Sequence, residues 1–265
     1  MKTHTVHSWT GLQEALFDET WNDDLQRFRA PFVYRGVTDA TKPLNTSLIT
    51  LGGDFARLEP HILRNFRKYA HNDYVSDNTL WNWLAVAAHH GLPTRLLDWT
   101  YSPYVAMHFA TSNLKHFDRD GHIWRVNYHS ISAHLPENLL HRLEREGSNV
   151  FTADMLDESF RSLSELNSFS KDPFMLFFEP PSIDERIVNQ FALFSVISRP
   201  DVVVSDFLRQ HPEFYDCITI PAALKWEIRD KLDQANITER VLFPGLDGLT
   251  QWLKRHYSPK SEMKE

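Results

Sequence analysis

A chain of 265 residues, 42% hydrophobic and 24% charged, has the composition of a globular protein and enough length to bury a sizeable core. Its net charge of −7 argues against tight nonspecific binding to nucleic acid, and its single cysteine, Cys217, excludes an internal disulfide and a cysteine-based metal site. No apolar run is long enough to span a membrane and the opening MKTHTVHSW lacks a signal-peptide core, so the sequence predicts a soluble protein of a reducing cytoplasm without a membrane partner.

Thr10-x-x-Gln13 reads as the capping box of a first helix, with Leu12, Leu16 and Trp21 as its apolar positions. Pro31 to Gly36 reads as a short strand with Phe32 and Tyr34 on one face and Val33 and Arg35 on the other. Residues 37–53 read as a loop. Phe55, Leu58, Ile62, Phe66 and Tyr69 recur at three- and four-residue steps, the stripe of a helix over 54–70. Asp77 is the expected cap of the next helix, which turns Leu80, Leu84, Ala87 and Ala88 inward.

The run from His89 to Ala110, HHGLPTRLLDWTYSPYVAMHFA, holds a break, a polar constellation and a restart. Gly91 suits a left-handed helix end and Pro93 blocks resumption. Thr94, Arg95 and Asp98 then stand among Leu96, Leu97 and Trp99, where buried charges need partners. Ser102 and Pro103 restart a helix as N-cap and first residue. Polar groups converging near such a helix start suit an anion.

Beyond it, Gly121 to Tyr128 reads as a strand, and 135–146 and 152–166 as helices. Phe174 to Phe178 is an apolar strand stopped by Pro180-Pro181. Arg186 to Ile197 reads as a strand or a buried bulged segment. Asp201 is the expected cap of a helix through Gln210. Cys217 to Ile220 is a further strand, Pro221 opens a helix to Ala235, and Leu246 to His256 is the last helix. Strands and helices intermingle without βαβ spacing, which predicts an α+β fold of mixed small sheets with surrounding helices. No linker splits the chain, so a single domain is expected over 1–257 with a polar tail over 258–265.

Each polar candidate has two readings. Arg35 offers a bidentate fork for a pyrophosphate, or a structural ion pair with Asp98. Asp98 reads first as a buried acceptor of backbone amides that anchors its loop. Arg95 divides evenly between ligand and scaffold. His89 suits an acid, a base or a ribose contact, whereas His90 suits a helix-end histidine. Tyr34 and Trp99 have rings that stack on a base or fill the core. Ser102 is a cap before it is a ligand contact, and Pro103 is structural. Arg186 and Gln190, four apart, share a face on either a helix or a strand. The histidines show no metal-ligand spacing, so no metal is expected. Arg35, His89, Arg95, Ser102, Arg186 and Gln190 are expected to line one cleft.

Tyr34-Arg35-Gly36, the Ala88 to Ala110 block, Arg186 with Gln190 and Phe194, and Phe243-Pro244-x-Leu246-x-Gly248 together resemble the FRG domain family, in the order that family has them. Ala88 stands where that family often has Gln, and Ala192 where it has Gly. More distantly, the Arg-bearing strand and the run from Thr100 through Ser102 and Pro103 to Ala110 are similar to the core of ADP-ribosyltransferases. That resemblance implies NAD as substrate and a NAD-dependent ADP-ribosyltransferase or NAD glycohydrolase. Arg35, His89 and Gln190 would be its catalytic residues, and Tyr34, Gly36, Thr94, Arg95, Ser102 and Arg186 its ligand contacts. Asp98, Trp99 and Pro103 would be structural. Gln190 takes the position of that fold's late Glu, with Glu179 and Glu185 as rivals. The alternatives are a non-catalytic module for a nucleotide or nucleic-acid end, and RNA 2′-phosphotransferase-like phosphoryl chemistry. A nucleotide or dinucleotide is the implied ligand, a protein or nucleic-acid acceptor is left open, and association with such domains implies bacterial antiviral defence or toxicity.

Overall fold

The computed structural model describes residues 2–70, 78–182 and 185–260, so the expected cap Asp77 lies outside the described residues. The chain opens with β1 (Lys2–Thr5), α1 (Trp9–Phe17), a small hairpin of β2 (Trp21–Asn22) and β3 (Arg27–Phe28), then β4 (Phe32–Val37). Next come α2 (Ser47–Leu51), α3 (Phe55–Tyr69), α4 (Leu80–His89), β5 (Leu97–Thr100), α5 (Pro103–Ala110) and β6 (Gly121–Asn127). They are followed by α6 (Tyr128–Ser132), α7 (Glu137–Glu146), β7 (Phe151–Thr152), α8 (Ala153–Ser159), α9 (Leu163–Ser168) and β8 (Met175–Glu179). The last are α10 (Glu185–Asn189), β9 (Ala192–Ile197), α11 (Val204–Gln210), β10 (Tyr215–Ile220), α12 (Lys225–Gln234), α13 (Glu239–Leu242) and α14 (Leu246–His256).

The fold is α+β. Its strands are gathered further than the sequence indicates: among the described residues eight form one mixed sheet, in the order β1-β10-β6-β4-β5-β9-β8-β7. All of β4, Phe32 to Val37, pairs with β6, and all of β5, Leu97 to Thr100, pairs with β9. Between β4 and β5 the register holds at Tyr34 and Thr100 alone. The sheet is therefore two four-stranded halves joined at one rung.

Alternation along the strands sorts the core. Val33, Trp99, Trp124, Val126, Phe177, Leu193 and Cys217 share one face, beneath α11 and Ile131 of α6. On the other face, Phe32, Tyr34, Ile123, Ile218 and Ile220 meet α1, α5 and α12, while Leu176, Phe178, Phe194 and Val196 meet α4, α7, α8 and α9. Helix α1 ends against the sheet with its orphan carbonyls filled: the Tyr34 hydroxyl donates to Leu16 at 3.2 Å, and the Arg125 guanidinium donates to Asp18 at 2.7 Å.

Several local expectations shift, each for a visible reason. The first helix is capped by Ser8, whose hydroxyl accepts from the Gly11 amide, not by Thr10, and Trp21 falls beyond it in the hairpin. The stretch 37–53 is not all loop, because Thr46 caps α2. In α3 the buried positions are Glu59 and Leu63, while Leu58 and Tyr69 face solvent. One step of phase is lost because an acidic residue turns inward. The stretch 152–166 breaks at Phe160, and Ser162 caps a new helix. Arg186 to Ile197 is helix α10 and then β9, turned by Phe191 at φ +48°. Helix α11 starts after Val203 without a side-chain cap, so Asp201 does not cap it.

A charged cluster welds α5, α12, α13 and α14. The buried Arg229 donates to His108 Nδ1 at 2.8 Å and to Glu239, and Arg255 reaches both Glu239 (2.7 Å) and Asp233 (2.7 Å). Burial opposes ionisation of Glu239, but the Arg255 hydrogen bonds and the Arg229 charge outweigh it and hold its pKa down at about 2, from 4.5. A carboxylate with a depressed folded pKa lends stability that is complete above its unfolded pKa and is lost as pH falls through the folded value. The melting temperature is therefore expected to fall between about pH 4.5 and 2. Glu239→Gln should melt lower near neutrality and lose less on acidification; parallel acid slopes in the two proteins would refute the assignment.

Candidate functional site

The site is built where β4 and β5 part. The sequence places Arg35 one residue past the shared rung, and its Nη1 donates to the Asp98 carbonyl at 2.6 Å, in place of a backbone ladder bond. The guanidinium bridges the two half-sheets. Its Nη1 lies 3.7 Å from the Asp98 carboxylate, its side chain is 27% exposed, and its Nε has no hydrogen-bond partner among the described residues. Burial lowers the Arg35 pKa and the Asp98 charge raises it.

Asp98 itself is 66% exposed at its side chain, so it is not the buried anchor the sequence suggests. It projects on the sheet face opposite Leu97 and Trp99, beside the gap rather than under it. Its pair with Arg35 is a surface pair, of small energetic weight.

The structure does not bring the six expected cleft residues together. Arg95 is fully engaged under α3: Nε and Nη2 hold Glu59, and Nη1 holds Asn167 at 2.7 Å and the Ser198 carbonyl at 3.3 Å. Both members of the Arg95–Glu59 pair are 2% exposed, so all three guanidinium nitrogens are held within the scaffold. Thr94 is buried, its amide donating to the Ser47 hydroxyl and its own hydroxyl accepting from the Leu96 amide. Gln190 is buried in the turn after α10, where its Nε2 donates to the Leu242 carbonyl at 2.9 Å and its carbonyl accepts from the Thr100 hydroxyl at 2.7 Å. It joins α13 to β5 instead of facing a cleft.

Arg186 and His89 do meet: Arg186 Nη1 donates to the His89 carbonyl at 3.2 Å, and its guanidinium lies 5.0 Å from the Phe243 ring centre. The two lie at the end of α4, where the break is made as the sequence predicts. Gly91 at φ +81° lets the Gly91 and Leu92 amides return to Ala88 and Ala87, both at 2.9 Å. Ser102 accepts from the Val105 amide, and Pro103 begins α5.

The aromatic residues have other tasks. Tyr34 is buried, its phenol pushed up to about 12 by burial against the opposing Arg125 charge. Its ring is packed in the core and its hydroxyl is spent on α1. Trp99 is buried and donates to the Ser195 hydroxyl at 2.8 Å. Gly36 is fixed by packing: an added Cβ would lie 1.9 Å from the Ala106 carbonyl oxygen, so α5 rests directly on β4. Gly248 meets the same need, with its Cβ position 1.9 Å from the Phe243 carbonyl oxygen.

A second group joins Glu179, a candidate from the sequence, to three aromatic residues that the sequence did not single out. Tyr101, Tyr128 and Phe191 form an aromatic corner with Glu179, which accepts from the Tyr101 hydroxyl at 3.0 Å. No periodicity marks them, since each lies just outside or at the end of a regular element. Among the described residues no three His, Cys, Asp or Glu side chains gather as a metal-binding set, and no helix is long and apolar enough to cross a membrane.

Both strands of the gap, with α5, lie inside a segment that matches a known family: residues 30–119 match the model of the FRG domain. No curated protein and no solved structure matches the chain.

Proposed function

We propose that the parting of β4 and β5 is a phosphate-binding cleft for a nucleotide, with NAD and ADP-ribose the first candidates, and that the chain is a nucleotide-binding domain of the ADP-ribosyltransferase type. One observation carries this reading: the Arg35 guanidinium stands between the half-sheets with one arm tied to the Asp98 carbonyl and a buried Nε that has no partner among the described residues. A planar fork held at one end is pre-organised for a phosphate oxygen at the other. The match at residues 30–119 covers both strands and agrees with the resemblance of Tyr34-Arg35-Gly36 to that family's first motif.

Binding without turnover is favoured over transfer by a second observation. The Gln190 amide is spent on Leu242, so the position expected to support a ribosyl cation offers no charge. Phosphotransferase-like chemistry with two arginines is disfavoured because Glu59 occupies Arg95.

Arg35→Lys keeps the charge and loses the fork, and is expected to weaken binding of NAD or ADP-ribose about tenfold or more while the melting temperature stays close to wild type. Calorimetric titration beside thermal melts measures both. Equal affinity in the two proteins would remove Arg35 from the ligand. Wild-type protein that binds neither nucleotide would sink the reading, and nicotinamide release would move it from binding to turnover.

A further inference from the structure

A pocket of about 660 Å³ opens at the Phe32 end of β4, lined by Tyr101, Tyr128, Phe191, Glu179 and, from the hairpin, Phe28. The Tyr101 ring centre lies 5.0 Å from that of Phe191 at 56° and 5.8 Å from that of Tyr128 at 74°. Rings inclined in this way pack edge against face and form a corner, and all three line the pocket. The Glu179 carboxylate takes one hydrogen bond, from the Tyr101 hydroxyl, and stays exposed.

Phe191 is the telling residue. It is 58% exposed, and at φ +48° it holds a conformation that glycine adopts freely and a bulky side chain rarely does. A ring there is disfavoured by the backbone and by water together. Such strain clusters at ligand sites, where the side chain contributes what the fold alone does not require. What Phe191 contributes is the third ring of the pocket wall.

We infer that the Tyr101–Tyr128–Phe191 corner with Glu179 binds a small organic cation of the quaternary-ammonium type. Electron-rich ring faces attract a cation, most strongly one that is weakly hydrated, and the carboxylate supplies the counter-charge. Burial, and then the Glu179 charge, raise the Tyr101 and Tyr128 phenols above their ordinary pKa, so both rings stay neutral. The charge at this wall disfavours an anion. Arg29, also on the pocket, is exposed and turns its Nη1 onto the Phe28 carbonyl at 3.0 Å, where solvent screens it. The inference does not depend on the nucleotide reading, since it uses none of the residues at the strand gap.

The test is calorimetric titration of the full chain with choline, against dimethylbutanol, its uncharged isostere with carbon in place of nitrogen, in matched sodium chloride. Choline is expected to bind at least tenfold more tightly than the isostere. Phe191→Gly removes the ring at a backbone position that glycine tolerates, so it should lower choline affinity at least fivefold with a melting temperature unchanged or raised. Glu179→Gln should lower it comparably while keeping the Tyr101 hydrogen bond. Phe191→Gly should not alter NAD or ADP-ribose binding. Equal binding of choline and its isostere, no choline binding, or a Phe191→Gly protein that binds choline as wild type does would each overturn the proposal. Adenosine competing with choline while choline itself gains nothing from its charge would reassign the corner to a planar base.

Discussion

Arg95→Met is expected to leave the protein largely unfolded at ordinary temperature. The Arg95 guanidinium satisfies Glu59 from two nitrogens and also holds Asn167 and the Ser198 carbonyl, and both charges are 2% exposed. Removing the cation strands a carboxylate inside the contact between α3 and the sheet. Breaking a buried pair from one side costs about 3–5 kcal/mol, a large share of the roughly 5–15 kcal/mol that holds a typical protein together. Two apolar residues of similar volume need no such partnership, so Glu59→Leu combined with Arg95→Met should recover most of the loss. Urea melts of the two single variants and the double variant measure it. An Arg95→Met protein with the wild-type midpoint would contradict the buried pair.

Gly36→Ala is the second large effect, and its cause is geometric. The new methyl would fall 1.9 Å from the Ala106 carbonyl oxygen and 2.5 Å from the Ala110 nitrogen. Both are backbone atoms of α5, so no rotamer change relieves the clash and the helix must lift from β4. Helix α5 supplies Ala106, Met107 and Ala110 to the core under that strand. Overpacking costs about 1–3 kcal/mol where side chains can yield, and more is expected where backbone must move. Loss of near-ultraviolet dichroism, or failure to accumulate as soluble protein, is the expected result; a cooperative melt at the wild-type temperature would show that α5 does not rest there.

The contrast between these residues explains what the sequence discloses. The helix break at Gly91, the restart at Ser102-Pro103 and the two faces of β4 are readable because each depends on neighbours within a few positions. Arg95 and Glu59 are 36 residues apart, and nothing local announces that the acidic member turns inward. Distance along the chain also conceals Gln190, whose partner carbonyl is 52 residues away, while the Arg229–Glu239–Arg255 cluster is hidden because three helices must meet before any charge is matched. Asp98 misleads in the opposite direction. Flanked by leucine and tryptophan it reads as buried, yet strand alternation turns it to the face opposite Leu97 and Trp99, where its side chain stays exposed. Of the candidate site, Arg35 keeps an unpartnered nitrogen among the described residues, whereas Arg95, Thr94 and Gln190 are held by partners in the scaffold, because a donor's availability is settled by long-range partners.

The single rung between β4 and β5 has a consequence for what counts as a folding unit. The segment that matches the FRG domain, residues 30–119, contains both strands, but they touch at Tyr34 and Thr100 alone. Their full-length neighbours, β6 and β9, begin at residues 121 and 192, outside the match. Cut at the family's borders, the piece would present two bare strand edges and half of each hydrophobic face, a recipe for self-association rather than a fold. The stretch that matches the family model is therefore a seam, and the body it joins is furnished by sequence on either side.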